Sequence, residues 1–280
     1  MLACTVTHTL VGLEARQVEV EAHLQDTQVP GFAIVGLADR ACQEAKDRVR
    51  SGVASAELAW PKGRITVNLA PASLRKEGAG FDLPMALGIL GAMGVVKGAD
   101  RHLFVGELSL DGAVRPVRGV LSVAACARRE GIANLLVPRE NAAEASVAEG
   151  VNVFGVSNLA EVVRFLSSPE SFSPVRPTDA AAAAVDESLP DFSDVRGQTV
   201  AKRALEVAAA ANHNVLMIGP PGSGKTMLAR RLAGILPKLT FPEALATTQF
   251  TASRGCCHPA PDCSRCGRSV RRIIRSLTPD

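Results

Sequence analysis

At 280 residues the chain has room for one large domain or two modest ones. Its 47% hydrophobic content supports a real core, and 4% aromatic residues with no Tyr point to an α/β interior filled by Ala, Val and Leu. The net charge of +3 is no evidence for a nucleic-acid partner, because residues 251–280 carry six Arg against two Asp and the other 250 residues sum to −1.

The opening stretch, MLACTVTHTLVGLE, has no basic flank and soon turns polar, unlike a signal peptide. No apolar run approaches the roughly 20 residues of a membrane-spanning helix. Cys4, Cys42 and Cys126 are far apart with no pairing pattern, which suits a reducing compartment. The expectation is a cytoplasmic protein without a membrane partner.

Residues 1–166 read as mixed strands and helices. FAIVGLAD (32–39) is a short apolar run that passes into the helical stretch RACQEAKDRVRSGVASA. RITVNLAP (64–71) alternates and stops at Pro71, as a strand does. FDLPMALGILGAMG is apolar on nearly every side and predicts a buried helix. In HLFVGELSLDGAVRPV, Asp111-Gly112 between alternating runs predicts a two-residue hairpin. NLLVP and VNVFGV predict further strands, and SNLAEVVRFL opens a helix with Asn158 and Glu161 spaced as a capping box.

Residues 167–190 combine Pro, Ser and an Ala run without apolar periodicity, the composition of a linker. From Asp191 a second pattern predicts a helix over roughly 198–212, a strand at 214–218, a Gly-rich turn and another helix. The turn is GPPGSGKT, formed by Gly219, Pro220, Pro221, Gly222, Ser223, Gly224, Lys225 and Thr226, and it matches G-x-x-x-x-G-K-[ST] in full. Gly222 and Gly224 let the backbone turn its N–H groups inward onto phosphate oxygens. Lys225 can neutralise the β/γ oxygens of ATP, and Thr226 can offer its hydroxyl to Mg²⁺. The start of the following helix adds its positive end at the same place.

Upstream, DFSDVRGQ resembles the segment of AAA+ ATPases that packs against adenine, with Val195, Gly197 and Gln198 in the matching places. PGFAIVGLADRACQEAKDRVRSGV and RITVNLAPASLRKEGAGFDLPMALGIL, taken with the phosphate loop, resemble the YifB/ComM family of magnesium-chelatase-like AAA+ ATPases, over residues 1 to about 250. The resemblance implies an α/β protein in two parts. A Lon-protease-like mixed α/β domain occupies 1–166, the linker 167–190 follows, and an incomplete P-loop AAA+ module of chelatase type occupies 191–250. It also implies ATP and Mg²⁺ as cofactors, self-association into a hexamer, and DNA as a partner in branch migration and natural transformation. Lon works through a Ser-Lys dyad. The serine place falls on Gly80, or Ala79 with a one-residue slip, and the lysine place on Leu121, so a structural or regulatory domain is expected in place of a peptidase.

After Phe250 the grammar changes: Arg replaces Lys, and Cys256, Cys257, His258, Cys263 and Cys266 crowd together. The zinc reading takes His258 with three of these cysteines as four ligands. The competing reading is an out-of-frame, disordered continuation over 251–280, because a one-base shift of plausible GC-rich codons restores the family's GLLPPG and RPFRAPHHT patterns. His8, His23, His102 and His213 have no ligand pair nearby in sequence and read as ordinary polar residues. After Thr226 the acidic residues are Glu243, Asp262 and Asp280, none of which follows the apolar strand of a Walker B carboxylate. A truncated, hydrolysis-deficient ATP-binding module is therefore expected. A non-enzymatic interaction module and a chelatase ATPase subunit are the alternatives, the second disfavoured by the leading Lon-like domain.

Overall fold

The computed structural model of the chain describes residues 1–12, 14–148, 150–176, 191–211 and 213–236. They fall into two compact units, one within 1–176 and one within 191–236. Residues 237–280, with the cysteine cluster, Glu243 and the expected out-of-frame tail, lie outside the described residues, as does 177–190 of the expected linker.

The first unit begins with a hairpin for which the sequence reading names no element. Strands β1 (Leu2–Val11) and β2 (Glu14–Gln25) pair antiparallel from Leu2↔His23 to Val11↔Glu14. Thr and Val at alternate places of β1 suit a pleated surface covered on both faces. Strand β3 (Gly31–Val35) leads into helix α1 (Arg40–Ser55), and β4 (Arg64–Ala70) ends before Pro71. Helix α2 (Asp82–Ala92) is buried along nearly its whole length, as its uniformly apolar sequence predicts. Short strands β5 (Leu103–Phe104), β6 (Glu107–Leu108) and β7 (Val114–Arg115) follow, then α3 (Val120–Arg129) and β8 (Asn134–Pro138). The one-turn helix α4 (Ala142–Ala145), β9 (Asn152–Val156) and α5 (Leu159–Ser167) complete the unit. The main sheet runs β3-β4-β2-β1-β5-β8-β9, antiparallel at β4-β2 and β2-β1 and parallel at its other pairs.

Strand periodicity decides which helix lies on which face. Successive side chains of a strand point to opposite sides. Thr5 donates through Oγ1 to the Pro84 carbonyl of α2 at 2.9 Å, whereas His8 meets Glu130 at the end of α3. The two helices therefore cover opposite faces of the sheet. Gly88 and Gly91 bring α2 close to it: a Cβ on Gly88 would sit 3.2 Å from the Ala22 Cβ, and one on Gly91 3.1 Å from the Ala3 Cβ. Leu83, Met85, Leu87, Ile89 and Leu90 are buried beneath, each contributing about 1.5–3 kcal/mol of burial.

Two turn expectations need correction. β6 and β7 do form a hairpin, but Leu108↔Val114 leaves five residues in the connection where two were expected. Ser109 N–H donates to the Ala113 carbonyl at 3.0 Å and Gly112 takes φ +82°, so the Asp-Gly pair sits inside a wider loop. At α5 the Asn158 side chain accepts from the Glu161 N–H at 2.8 Å, but Glu161 accepts from the Ser157 N–H at 2.7 Å and not from the Asn158 N–H, so the capping box closes one residue early. Beyond α5, Phe172 packs edge-to-face against Phe165 with ring centroids 5.4 Å apart, and the Val175 N–H donates to the Val153 carbonyl at 2.7 Å.

In the second unit the 3₁₀ turn Phe192–Asp194 precedes α6 (Thr199–Ala211) and α7 (Lys225–Ile235). Phe192, Val195, Leu205 and Leu228 form its core, with Met217, Leu232 and Ile235 packed against it. Arg231 ties α7 to the turn, donating to the Asp191 carbonyl at 2.9 Å and to Asp194 Oδ2 at 3.3 Å. The strand expected at 214–218 is not formed among the described residues: the segment has no ladder partner there, and a strand exists only through one. Met217 points into the core, while Leu216 and Ile218 are 83% and 86% exposed, the alternation of a strand without its neighbours. No helix among the described residues is long and apolar enough to cross a membrane.

Candidate functional site

The loop Gly219–Thr226 runs into α7 through two left-handed residues, Gly222 at φ +81° and Gly224 at φ +84°. A Cβ on Gly222 would meet nothing within 4 Å, so its dihedral and not lack of space requires glycine there. Ser223 Oγ donates back to the Pro220 carbonyl at 2.9 Å and pins the turn. Gly224 is the N-cap of α7 and has no side chain to satisfy the helix's first N–H groups. Those donors, with the positive end of an eleven-residue helix behind them, suit an anion.

Lys225 supplies the fixed charge. Its Nζ donates to the carbonyls of Gly219 and Pro220, both at 2.7 Å, and to Ser223 Oγ at 3.2 Å. The ammonium thus lies across the loop on neutral acceptors, with no carboxylate among these partners. Thr226 is exposed in the first turn of α7, where its hydroxyl is accessible to a cation. The donor set fits a nucleotide triphosphate with Mg²⁺: an uncapped helix N-terminus, one ammonium and one hydroxyl.

The upstream segment closes on the same loop. Val195 is buried in the core of the unit, and Lys202 Nζ donates to its carbonyl. Gly197 and Gln198 take φ +68° and +56°, an uncommon conformation for a residue with a side chain. Gln198 Nε2 donates to the Ser223 carbonyl at 3.3 Å. Val195, Gly197 and Gln198, some twenty residues from the loop in sequence, are thus linked to it through Gln198. The backbone strain at Gln198 lies where the two segments meet.

In the first unit the residues that the sequence reading sets at the Lon dyad places are Gly80 and Leu121, neither with a hydroxyl or an amine. The Gly80 carbonyl accepts from the Gly106 N–H at 3.1 Å, and a Cβ on Gly80 would lie 3.8 Å from Val117 Cγ1, beside the loop leading to α3. Leu121 is buried at the start of α3, where its N–H donates to Glu144 Oε1 at 3.3 Å. Burial pushes the Glu144 carboxyl above its ordinary range, against the opposing pull of that N–H and of Asn141. The segment before Gly80 is held from α1: Asp39 accepts from the Cys42 N–H at 2.8 Å and the Gly78 N–H at 3.1 Å.

Residues 20–141 match the family model described as subunit ChlI of Mg-chelatase, and residues 191–265 match that of magnesium chelatase, subunit ChlI. The competence protein ComM of Haemophilus influenzae is 43% identical over 258 residues, covering 90% of this chain and 50% of that protein. The YifB protein of Escherichia coli is 40% identical over 248 residues, covering 87% of this chain and 48% of its own length. The chain belongs to the YifB/ComM family. It spans about half the length of the curated relatives it matches. A Lon protease of Lachnoclostridium phytofermentans is 24% identical over 178 residues, 58% of this chain and 21% of that protein. A magnesium-chelatase-like AAA+ family member, the chain has the mixed α/β architecture and Lon-like relative that its sequence leads one to expect, and its main sheet is partly parallel.

One cluster escapes the sequence reading. His8 was expected to be an ordinary polar residue without ligand partners, but the fold joins it to Cys126 and Glu130, with one donor atom from each within 4.8 Å of the others. Cys126 and Glu130 show the i, i+4 spacing of one helix face, but nothing local ties them to a residue over a hundred positions earlier.

Proposed function

We propose that the second unit binds ATP with Mg²⁺ through Gly219–Thr226, and that the chain contributes to ATP-dependent DNA handling. The observation that carries the reading is the left-handed pair Gly222 and Gly224 ahead of an uncapped helix start, with Lys225 across the loop. Gly222, Ser223, Gly224 and Lys225 would hold the phosphates and Thr226 the Mg²⁺. Val195, Gly197 and Gln198 would line the base side. The triphosphate supplies a phosphoryl group for transfer; the residues here orient and neutralise it. The DNA role rests on the competence protein among the relatives, and association into a ring of copies rests on AAA+ family membership.

In this reading the 280-residue polypeptide binds nucleotide but does not turn it over. Phosphoryl transfer needs a carboxylate to hold Mg²⁺ and orient water, and commonly an arginine from another subunit worth ~10³–10⁵ in rate. In sequence, none of Glu243, Asp262 and Asp280 follows an apolar run of the kind that precedes such a carboxylate. The first unit, with Gly80 or Ala79 and Leu121 at the dyad places, acts as a structural or regulatory body. The test is phosphate release by purified 1–280 with and without single-stranded and branched DNA, with Lys225→Ala as control and unfolded casein alongside. Background release and intact casein are expected. Mg²⁺-dependent turnover abolished by Lys225→Ala would overturn the hydrolysis-deficient reading.

A further inference from the structure

The sheet face turned toward α3 carries a mixed nitrogen, sulfur and oxygen cluster outside the nucleotide unit. His8 comes from β1, and Cys126 and Glu130 from one face of α3 and its end. His8 Nε2 lies 2.8 Å from Glu130 Oε2, and Cys126 Sγ lies 3.3 Å from Glu130 Oε1. The His8 side chain is fully buried and Cys126 is buried, while the Glu130 side chain is 25% exposed and forms the mouth. Two further groups touch the sulfur: the Ala15 carbonyl at 3.2 Å and the Arg129 guanidinium, which donates to Sγ at 3.1 Å. His8 Nδ1, the ring nitrogen that does not meet Glu130, is buried with no hydrogen-bond partner among the described residues.

We infer that His8, Cys126 and Glu130 form a binding site for a borderline divalent cation of the Zn²⁺ class. Imidazole, thiolate and carboxylate together select such an ion over Mg²⁺ or Ca²⁺, which take oxygen ligands. Zinc bonds of ~2.0–2.3 Å at tetrahedral angles need donor pairs about 3.3–3.6 Å apart. His8 Nε2 and Cys126 Sγ approach different oxygens of Glu130, at 2.8 and 3.3 Å, and one donor from each residue lies within 4.8 Å of the others, so side-chain shifts of roughly 1 Å bring the three to that geometry. Three protein ligands leave a fourth position at the Glu130 side, open to water. Binding displaces the Cys126 thiol proton to solvent, and the Arg129 contact steadies the resulting thiolate.

The experiment uses the full chain carrying Cys256→Ala, Cys257→Ala, Cys263→Ala and Cys266→Ala, so that the cysteines of 251–280 do not contribute. Metal content is measured after equilibration with Zn²⁺ and removal of the free ion, and Co²⁺ is used to look for a thiolate-to-metal absorption band. One equivalent of Zn²⁺ and a Co²⁺–thiolate band are expected, both lost with Cys126→Ser. Glu130→Gln, a change at the exposed mouth that circular dichroism should show to be folded, is expected to weaken binding about tenfold or more. A chain that takes up no zinc, or whose affinity is unmoved by Glu130→Gln, contradicts the inference, and this holds even if Cys126→Ser fails to fold.

Discussion

Asp39 shows how much one carboxylate organises in the first unit. It caps α1 through the Cys42 N–H and at the same time holds the Gly78 N–H, which fixes the segment before Gly80. Burial alone would raise its pKa, but those two N–H donors, together with the Cys42 thiol and the Arg75 charge, outweigh burial and hold it below the ordinary carboxylate range. Between the folded and unfolded pKa values the unfolded chain therefore binds more protons. The stabilisation is present above about pH 4 and is lost as pH falls through the folded value. Replacing Asp39 by Ala is expected to cost about 1–2 kcal/mol at pH 7, read as a lower urea midpoint. Asp39→Asn, which retains a capping oxygen, should cost less and remove this residue's share of the acid sensitivity below about pH 4. Equal pH dependence in wild type and Asp39→Asn would show that the carboxylate is not the titrating group.

At the scale of elements, legibility in the sequence follows how local the determining physics is. Helix α2 is legible because nearly every residue is apolar, and β4 because its alternation ends at Pro71. The β1–β2 hairpin is not, since its threonines look polar in isolation and are buried only when helices cover both faces of the sheet. The segment 214–218 has the composition of a strand, but a strand is a property of a pair, and no partner for it occurs among the described residues. The turn at Gly219–Thr226 is legible as a turn because its glycines lie within eight positions, and Gly222 and Gly224 take positive φ. The His8 cluster is invisible because its members are 122 residues apart at the widest. The close seat of α2 on β1 and β2 yields a further expectation. Gly88→Val places a branched side chain where a Cβ alone would lie 3.2 Å from Ala22, and overpacking of this kind costs about 1–3 kcal/mol. Thermal melting followed by circular dichroism should show a lowered midpoint for that unit, while an unchanged midpoint would mean that α2 can move away from the sheet at little cost.

For the whole molecule, the two compact units carry different chemistry. The first surrounds a mixed sheet and holds a His-Cys-Glu cluster. The second presents an anion-ready loop, with Leu216 and Ile218 exposed beside it. The chain covers about half of its relatives' length, so what the second unit does by itself is best asked as a binding question. The most direct measurement is titration of purified 1–280 with a fluorescent ATP analogue and Mg²⁺, alongside Lys225→Ala and Gly224→Val. Saturable one-to-one binding is expected, weakened at least about tenfold by loss of the Lys225 charge–phosphate contact and likewise by a side chain at the left-handed Gly224. Binding of undiminished affinity in both variants would show that the nucleotide is held somewhere other than Gly219–Thr226, and no binding at all would contradict the assignment outright.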